Sequence, residues 1–206
     1  KNLTENGKLF CEFEIYNMLC SLILVFNKKL KMNDLQIISE LKNPSGRLEK
    51  IYDKKKIRVF IDYAHTPDAI TKVLSSLKKI TSGKLILVFG CGGDRDKLKR
   101  NQMTREALKY SDIIIITDDN PRFEDPRKIR EDMIRNLKSE DLKKIKVIGN
   151  RKIAIKIAVN FLSEQDVLLI AGKGHENYQL IKNKKIFFSD KITARAKKIG
   201  SVNLIY

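Results

Sequence analysis

Cysteine and histidine are both scarce in this sequence. Among 206 residues there are three cysteines, Cys11, Cys20 and Cys91, and two histidines, His65 and His175. Three cysteines without a CxxC spacing do not match a disulfide framework or a zinc site, and they fit reduced thiols. The histidines are also too far apart for the HExxH spacing of zinc peptidases. We therefore predict a cytoplasmic protein with no metal-ligating residues in this sequence.

Long apolar runs are missing as well. No stretch approaches the roughly 20 apolar residues that a membrane-spanning helix needs. Residues 1–7 carry no apolar signal-peptide segment and do not begin with Met. We expect no membrane partner, and we expect the sequence to begin inside a longer chain.

Acidic residues are outnumbered, with 25 Asp and Glu against 42 Lys and Arg, giving a net charge of +17. Such an excess is typical of proteins that bind nucleic acid or a phosphorylated substrate. However, the lysine runs at 54–56, 78–79 and 184–185 adjoin predicted turns and do not form one stripe. This distribution favours lysines spread over solvated surfaces. A non-catalytic, basic nucleic-acid-binding domain remains the alternative interpretation.

Four short, mostly apolar runs occur along the chain, at 57–61, 85–89, 113–116 and 167–170. They are too short for typical helices and are typical of buried parallel strands. Helical patterns lie between them, which predicts a doubly wound, mostly parallel α/β sheet flanked by helices. The carboxyl ends of parallel strands meet at one edge, so the loops that follow these runs should converge there.

Those four loops are rich in glycine and charge. They read DYAHTPD, GCGGDRDKLKR, TDDNPR and AGKGHE, and the glycine loop lacks the endings of the Walker A and GxGxxG motifs. Arg95 and Arg122 each offer a planar fork that suits a carboxylate, and Glu176 suits an ammonium group. The three side chains together predict a pocket for a zwitterion.

The first 44 residues differ from the rest of the chain. Apolar residues at helical spacing, including Tyr16, Leu19 and Ile23, predict a helix over 10–26 with a buried face. A second helix is predicted over 35–41, followed by the turn Asn43-Pro44-Ser45-Gly46. Two helices cannot form a stable domain alone, so we expect residues 1–44 to be the tail of another domain.

The remaining elements are predicted within residues 45–206. In the predicted helix at 151–162, the apolar face consists of Ile153, Ala154, Ile157, Ala158 and Phe161. The other predicted elements are strands at 47–52 and 146–148, a hairpin at 178–188, and helices at 67–80, 102–110, 126–137 and 191–199.

Five motifs occur in order along the chain. They are GRLE at 46–49, DYAHTPDAI at 62–70, GCGGDRDKLKR at 90–100, DDNPRFEDPR at 118–127 and AGKGHENYQ at 171–179. Together they closely resemble the C-terminal domain of the Mur ligases known as UDP-N-acetylmuramoyl-tripeptide synthetases. The resemblance covers essentially the whole chain. It implies a Rossmann-like Mur ligase C-terminal domain at 45–206, and the helical end of the central ATPase domain at 1–44.

The resemblance also implies an activity. This family uses ATP and Mg²⁺ to add an amino acid to UDP-MurNAc-L-Ala-D-Glu in peptidoglycan synthesis. ATP phosphorylates the glutamyl carboxylate, and the amine of the incoming amino acid displaces the phosphate. The DNPR motif resembles the signature for meso-diaminopimelate, whereas lysine-adding relatives lack its arginine; the lysine-adding enzyme is the alternative within the family. The full-length protein is expected to be a monomer.

Site residues can be assigned from the same resemblance, although no residue of this sequence is assigned as catalytic. The residues implied to bind meso-diaminopimelate are Arg95, Asp119, Asn120, Pro121, Arg122, Gly172 and Glu176. The residues implied to lie on the ATP side are Asn17, Arg47, Asp62, His65, Lys97 and Lys99.

The sequence departs from the family pattern at several places. Leu98 and Asn101 stand where the family's DKGKRP has glycine and proline, and Glu14 replaces the asparagine of FNVYN. The family's GKT phosphate loop, carbamylated lysine and UDP-binding domain would all precede residue 1.

We therefore predict that the 206-residue chain alone does not turn over ATP, because the phosphate loop is not in its sequence. The measurement is phosphate release in the presence of ATP, UDP-MurNAc-L-Ala-D-Glu and meso-diaminopimelate. Sustained release by the purified chain would contradict this expectation.

Overall fold

A computed structural model describes residues 12–26, 43–54 and 56–195 of the chain. The chain divides into two compact units, Lys1–Pro44 and Ser45–Tyr206. In the first unit, helix α1 spans Glu12–Phe26. Within the described ranges, no helix combines the length and the apolar character needed to cross a membrane.

Helix α1 confirms the helical periodicity but not the predicted buried face. Tyr16 and Ile23 are 60% and 47% exposed, whereas Leu22 is buried. Apolar spacing identifies a face of a helix, but it does not say what covers that face. The second predicted helix, at 35–41, lies outside the described residues.

The second unit is built on a six-stranded sheet with the strand order β1-β2-β6-β3-β4-β5. Strand β1 is antiparallel to β2, and every other neighbouring pair is parallel. This confirms the predicted doubly wound, mostly parallel sheet. The strands are β1 Glu49–Lys54, β2 Ile57–Asp62, β3 Leu85–Phe89, β4 Ile113–Ile116, β5 Ile145–Val147 and β6 Val167–Ala171.

Helices connect these strands, and a two-stranded hairpin follows β6. The helices are α2 Pro67–Ile80, α3 Leu98–Leu108, α4 Pro126–Ile134, α5 Ser139–Leu142, α6 Arg151–Asn160 and α7 Asp190–Arg195, and the hairpin strands are β7 Tyr178–Ile181 and β8 Lys184–Phe187. Helix α2 begins as predicted, because the Thr66 side chain accepts a hydrogen bond from the Ala69 amide and Pro67 occupies the first turn. Helix α3 begins four residues earlier than predicted.

The core lies on both faces of the central strands. Every residue of β3 and of β6 is buried, as expected for inner strands of a parallel sheet. Ile86, Val88, Leu168 and Ile170 from these strands belong to one apolar cluster that also contains Ala154 of α6. The two strands that carry this core also end in two of the predicted site loops.

Helix α6 buries only part of the face predicted for it. Ala154 and Ala158 are buried as predicted, whereas Ile153 and Phe161 are 49% and 42% exposed, and Arg151 and Ile155 are buried in addition. The predicted face counted only apolar residues and therefore omitted Arg151.

Arg151 is buried because it is paired with Asp190. Two hydrogen bonds of 2.8 Å join the guanidinium to the carboxylate, and both side chains are completely inaccessible. The same guanidinium donates to the carbonyl of Ala171, at 2.9 Å. This ion pair thus ties α6 and α7 to the carboxyl end of β6.

We predict that Arg151→Met destabilises the chain by about 3–5 kcal/mol, because it leaves the Asp190 charge buried without a partner. The double substitution Arg151→Met with Asp190→Leu should recover much of that loss. The measurement is the free energy of unfolding in urea, followed by circular dichroism.

The matched control is Lys72→Met, which removes an ion pair with Asp68 in which both side chains are more than half exposed. An exposed pair contributes about 0–1 kcal/mol. Equal effects of Arg151→Met and Lys72→Met would contradict the role assigned to the buried pair.

Candidate functional site

Four polar loops lie side by side at the carboxyl edge of the sheet. Strands β2, β6, β3 and β4 are neighbours and run parallel, with Asp62 paired to Ala171 and Phe89 to Ile116 at their ends. The loops after these strands therefore converge, as the strand pattern predicts. The loop after β6 lies between the loops of β2 and β3.

The glycine loop after β3 touches the DNPR loop after β4. The Gly93 amide donates to the carbonyl of Asn120, at 2.9 Å. A Cβ atom at Gly93 would lie 1.9 Å from the Pro121 carbonyl oxygen, and one at Gly90 would lie 2.2 Å from that of Thr117. Any side chain at these two positions would force the loops apart, so glycine is needed for the contact.

Arg122 has a left-handed backbone conformation, with φ of 53°. This conformation is unfavourable for residues other than glycine. Strand β7 supports it, because the Arg122 amide donates to the carbonyl of Leu180 at 3.0 Å and the Lys182 amide donates to the carbonyl of Arg122 at 2.7 Å. The hairpin therefore fixes the direction in which the Arg122 side chain leaves the backbone.

The guanidinium of Arg122 lies over the glycine loop. Its Nη1 donates to the Gly93 carbonyl at 2.7 Å. A Cβ atom at Gly92 would come within 2.8 Å of that Nη1 and within 3.8 Å of the Cγ of Arg95. The side chains of Arg95 and Arg122 therefore both lie beside Gly92. The structure thus places these two predicted residues near each other. Arg95 is exposed.

A buried lysine that we did not predict as a site residue joins the DNPR loop to the loop after β6. The Lys173 side chain is completely inaccessible, and its Nζ donates to Asn120 Oδ1 and to the Tyr178 carbonyl, each at 2.8 Å. The same atom lies 3.2 Å from a carboxylate oxygen of Asp119 and 3.6 Å from one of Glu176. The sequence signal that could have identified Lys173 is its position between two glycines, directly after the apolar run at 167–170.

Asn120 and Glu176, both predicted as site residues, are in direct contact. The Asn120 side-chain amide donates to Glu176 Oε2 at 3.1 Å. Gly172 has φ of 108°, and a Cβ atom there would lie 2.8 Å from Asp119 Oδ2. Pro121 is buried beside them. The loops after β4 and β6 are therefore joined through side chains, and glycine is required for their close approach.

The end of β2 carries a second group of residues. The Asp62 carboxylate is buried and accepts hydrogen bonds from the amides of Leu48 and Ala64, each at 2.7 Å. Burial raises the pKa of this carboxyl above its ordinary value, against the opposing effects of the two amides and of nearby Arg47 and His65. Asp62 thus holds the GRLE segment against the end of β2.

Tyr63 is surrounded by three basic side chains. The Arg47 guanidinium lies 4.8 Å from the centre of the Tyr63 ring. The rings of His65 and His175 lie 4.7 Å and 5.8 Å from the same centre. Arg47 and both histidines are exposed, so this group forms a basic and aromatic surface at the β2 end of the edge. His175 and Tyr63 were not predicted as site residues.

Lys97 and Lys99 lie at the start of α3, after the glycine loop. Lys97 is exposed, with its Nζ 3.8 Å from Glu124, and Lys99 is partly buried. Hydrogen bonds from buried Arg100 hold the pKa of Glu124 at about 2, so this carboxylate stays ionised. Both lysines are therefore near the glycine and DNPR loops, whereas Arg47 and His65 are at the β2 end.

Two of the departures from the family pattern also fall on α3. Leu98 is exposed, and its amide donates a hydrogen bond to the Asp96 carboxylate at 2.9 Å. This bond satisfies one of the free amides in the first turn of α3. The Asn101 side chain donates to the Arg135 carbonyl at 2.7 Å, just after α4 ends. Asn101 thus joins α3 to α4.

The remaining predicted residue, Asn17, is exposed on α1 of the first unit, where its carbonyl accepts a hydrogen bond from Ser21 at 2.9 Å. Among the described residues, no group of three or more His, Cys, Asp or Glu side chains is arranged to hold a metal ion. Burial raises the pKa of the Cys91 thiol to about 12, which makes a thiolate role for it unfavourable.

The sequence is similar to named ligases. It is 44% identical over 186 residues to the UDP-N-acetylmuramoyl-L-alanyl-D-glutamate–2,6-diaminopimelate ligase of Rickettsia typhi, covering 89% of this chain and 37% of the relative. The ligase of the same name from Phocaeicola vulgatus is 47% identical over 163 residues, covering 78% of this chain and 34% of the relative. The chain thus spans less than two fifths of the length of these relatives.

Solved structures show the same fold. A structure of a UDP-N-acetylmuramoyl-L-alanyl-D-glutamate–2,6-diaminopimelate ligase superposes with a TM-score of 0.73 at 37% identity, covering 92% of this chain and 39% of that one. The UDP-N-acetylmuramate–alanine ligase of Thermotoga maritima superposes with a TM-score of 0.64 at 20% identity, covering 92% of this chain and 38% of that one. This second match concerns the fold alone.

The profile of the Mur ligase glutamate ligase domain matches residues 46–174. This segment runs from the GRLE turn, through the first three edge loops, to the second glycine of GKG in the fourth. That segment is more than half of the chain, and the sequence and structural relatives agree with it. The chain therefore belongs to the Mur ligase family.

Proposed function

We propose that this chain is the C-terminal part of an ATP-dependent ligase that adds meso-diaminopimelate to UDP-MurNAc-L-Ala-D-Glu in peptidoglycan synthesis. In this proposal residues 45–206 form the domain that selects the amino acid, and residues 1–44 are the helical end of the central ATPase domain. The observation that carries the proposal is that Arg95 and Arg122 lie on loops adjoining the Asn120–Glu176 pair at one edge of the sheet, with Arg122 Nη1 3.5 Å from the Asn120 carbonyl oxygen. The names of the similar ligases support it.

The chemistry of the amino acid matches the charges at this edge. One end of meso-diaminopimelate enters the new amide bond, and the distal end carries a carboxylate and an ammonium group. Arg122 and Arg95 would bind the distal carboxylate, since a guanidinium can donate two parallel hydrogen bonds to it. Glu176 would bind the distal ammonium group. Lysine has the ammonium group but no distal carboxylate, so it would leave both guanidinium groups without a carboxylate partner.

We assign the nucleotide to the β2 end of the edge. Arg47, His65 and the Tyr63 ring offer positive charge and an aromatic face, which suit phosphate oxygens and a nucleobase. Asn17, Lys97 and Lys99 remain further proposed contacts on the ATP side, and Asp62 would act by holding this end in place. ATP, when bound with Mg²⁺, supplies the phosphoryl group that activates the glutamyl carboxylate.

Positioning is the contribution of the described residues to this reaction. The domain would hold the attacking amine beside the activated carboxylate, and correct orientation is a large part of catalysis in such transfers. We also propose that the full-length enzyme is cytoplasmic and monomeric.

The proposal can be tested in a chimera in which residues 45–206 replace the matching segment of the Rickettsia typhi relative. We expect Arg122→Ala to lower kcat/KM for meso-diaminopimelate by about tenfold to a hundredfold, the effect of one charge-assisted hydrogen bond of roughly 1.5–3 kcal/mol. The KM for ATP should barely change, and lysine use should fall less. Arg122→Lys should restore little, because an ammonium group cannot reproduce the fork.

Arg127→Ala is the matched control, since Arg127 is an exposed arginine five positions further along the chain. Its kinetic constants should stay near those of the unsubstituted chimera. Equal losses for meso-diaminopimelate and lysine in Arg122→Ala would show that Arg122 is structural. A chimera that uses neither amino acid, but binds random duplex DNA with a strong salt dependence, would favour the nucleic-acid alternative.

A further inference from the structure

Lys173 is the one buried lysine among the described residues of the edge loops, and it contacts three residues that we assign to amino-acid binding, Asp119, Asn120 and Glu176. We propose that Lys173 is a positioning residue for selectivity: it orients the Asn120 amide and the Glu176 carboxylate so that one oxygen of Glu176 can receive the distal ammonium group of the amino acid. This inference rests on the proposed function. Lys173 would act through its neighbours and would not touch the substrate.

The hydrogen bonds around Asn120 fix the orientation of its side chain. Asn120 Oδ1 accepts from Lys173 Nζ at 2.8 Å and from the Leu180 amide at 3.0 Å. Two donors at one end of the amide require the oxygen there, because an NH₂ group could accept neither bond. The NH₂ group must therefore face Glu176, whose Oε2 it contacts at 3.1 Å. Without Lys173, one of the two bonds that set this orientation is lost.

The ammonium group of Lys173 makes two hydrogen bonds and two ion pairs. It donates to Asn120 and to the Tyr178 carbonyl, and its third close neighbour is Asp119, at 3.2 Å. Glu176 lies slightly further away, at 3.6 Å, where the attraction is Coulombic. Lys173 therefore attracts the Glu176 carboxylate electrostatically without hydrogen-bonding to it. The carboxylate of Glu176 can still accept hydrogen bonds from a ligand.

The second carboxylate oxygen of Glu176 has no hydrogen-bond partner in the part of the chain that the structure describes. The Glu176 side chain is 18% exposed, so this oxygen can be reached from the site. A carboxylate oxygen in a partly closed site suits a charged donor such as an ammonium group.

The balance of charge around Lys173 points to the same ligand group. Two cations, Lys173 and Arg151, lie in this region with three carboxylates, those of Asp119, Glu176 and Asp190. Arg151 is already paired with Asp190. Lys173 therefore faces two carboxylates, and one negative charge is left for the ligand to neutralise.

The experiment compares two amino acids that differ only in the group that Glu176 would bind. L-2-Aminopimelate keeps the reacting amine and both carboxylates of meso-diaminopimelate but lacks the distal ammonium group. In the chimera described above, we expect meso-diaminopimelate to be used with the higher kcat/KM. Lys173→Met should reduce that preference by about tenfold. The loss should appear in the KM for meso-diaminopimelate, with little change for 2-aminopimelate.

Lys185→Met is the matched control, because Lys185 is exposed, its Nζ lies 4.0 Å from the centre of the Tyr178 ring, and it makes no hydrogen bond or ion pair with Asn120 or Glu176 in the described structure. Its preference between the two amino acids should equal that of the unsubstituted chimera. If Lys173→Met does not fold, Lys173→Gln is used instead, because it removes the charge but keeps a polar side chain at this position. It should show the same loss of preference, checked alongside its melting temperature.

The outcomes separate this inference from the proposed function. A chimera that does not use meso-diaminopimelate would overturn the proposed function, and this inference with it. A chimera that uses both amino acids equally well would overturn the assignment of Glu176 to the ammonium group, and with it the role of Lys173. An unchanged preference in a folded Lys173 variant, or equal losses for both amino acids, would overturn only the positioning role.

Discussion

The parallel pairing of β2, β6, β3 and β4 is the constraint on which the site depends. Because these strands are hydrogen-bonded neighbours with one direction, their carboxyl ends cannot separate, and four loops must share one edge. The strands themselves contribute almost only apolar side chains. The sheet thus fixes where the loops begin, and the contacts among the loops determine what the site can bind.

The edge has two chemically different ends. At the β2 end, exposed basic side chains surround the Tyr63 ring, and at the β4 end Arg122 lies over a glycine loop. The loop after β6 lies between them, with His175 next to Tyr63 and the adjacent Glu176 next to Asn120. Two consecutive residues therefore face the two ends of the edge, which places the proposed nucleotide and amino-acid regions beside each other.

The sequence predicted the sheet and the convergence of its loops, because short apolar runs that end in glycine or charge have few other structural solutions. It did not predict the roles of Arg151 and Lys173. Both are charged residues in the interior, and hydrophobic periodicity counts such residues as exposed. Their burial depends on partners distant in sequence, Asp190 for Arg151 and Asn120 for Lys173. The roles assigned to individual site residues came from the family resemblance, and they remain proposals.

The left-handed backbone of Arg122 has a consequence for how selectivity of this kind could be transferred between enzymes. The conformation is held by the carbonyl group of Leu180 and the amide group of Lys182, which lie about 60 residues further along the chain. Since these are main-chain contacts, they depend on the path of the hairpin and not on its side chains. Introducing only the DNPR sequence into another ligase would therefore add the arginine without the contacts that fix the direction of its side chain. The smallest segment set that could transfer this recognition is the DNPR motif together with the β7–β8 hairpin that supports it.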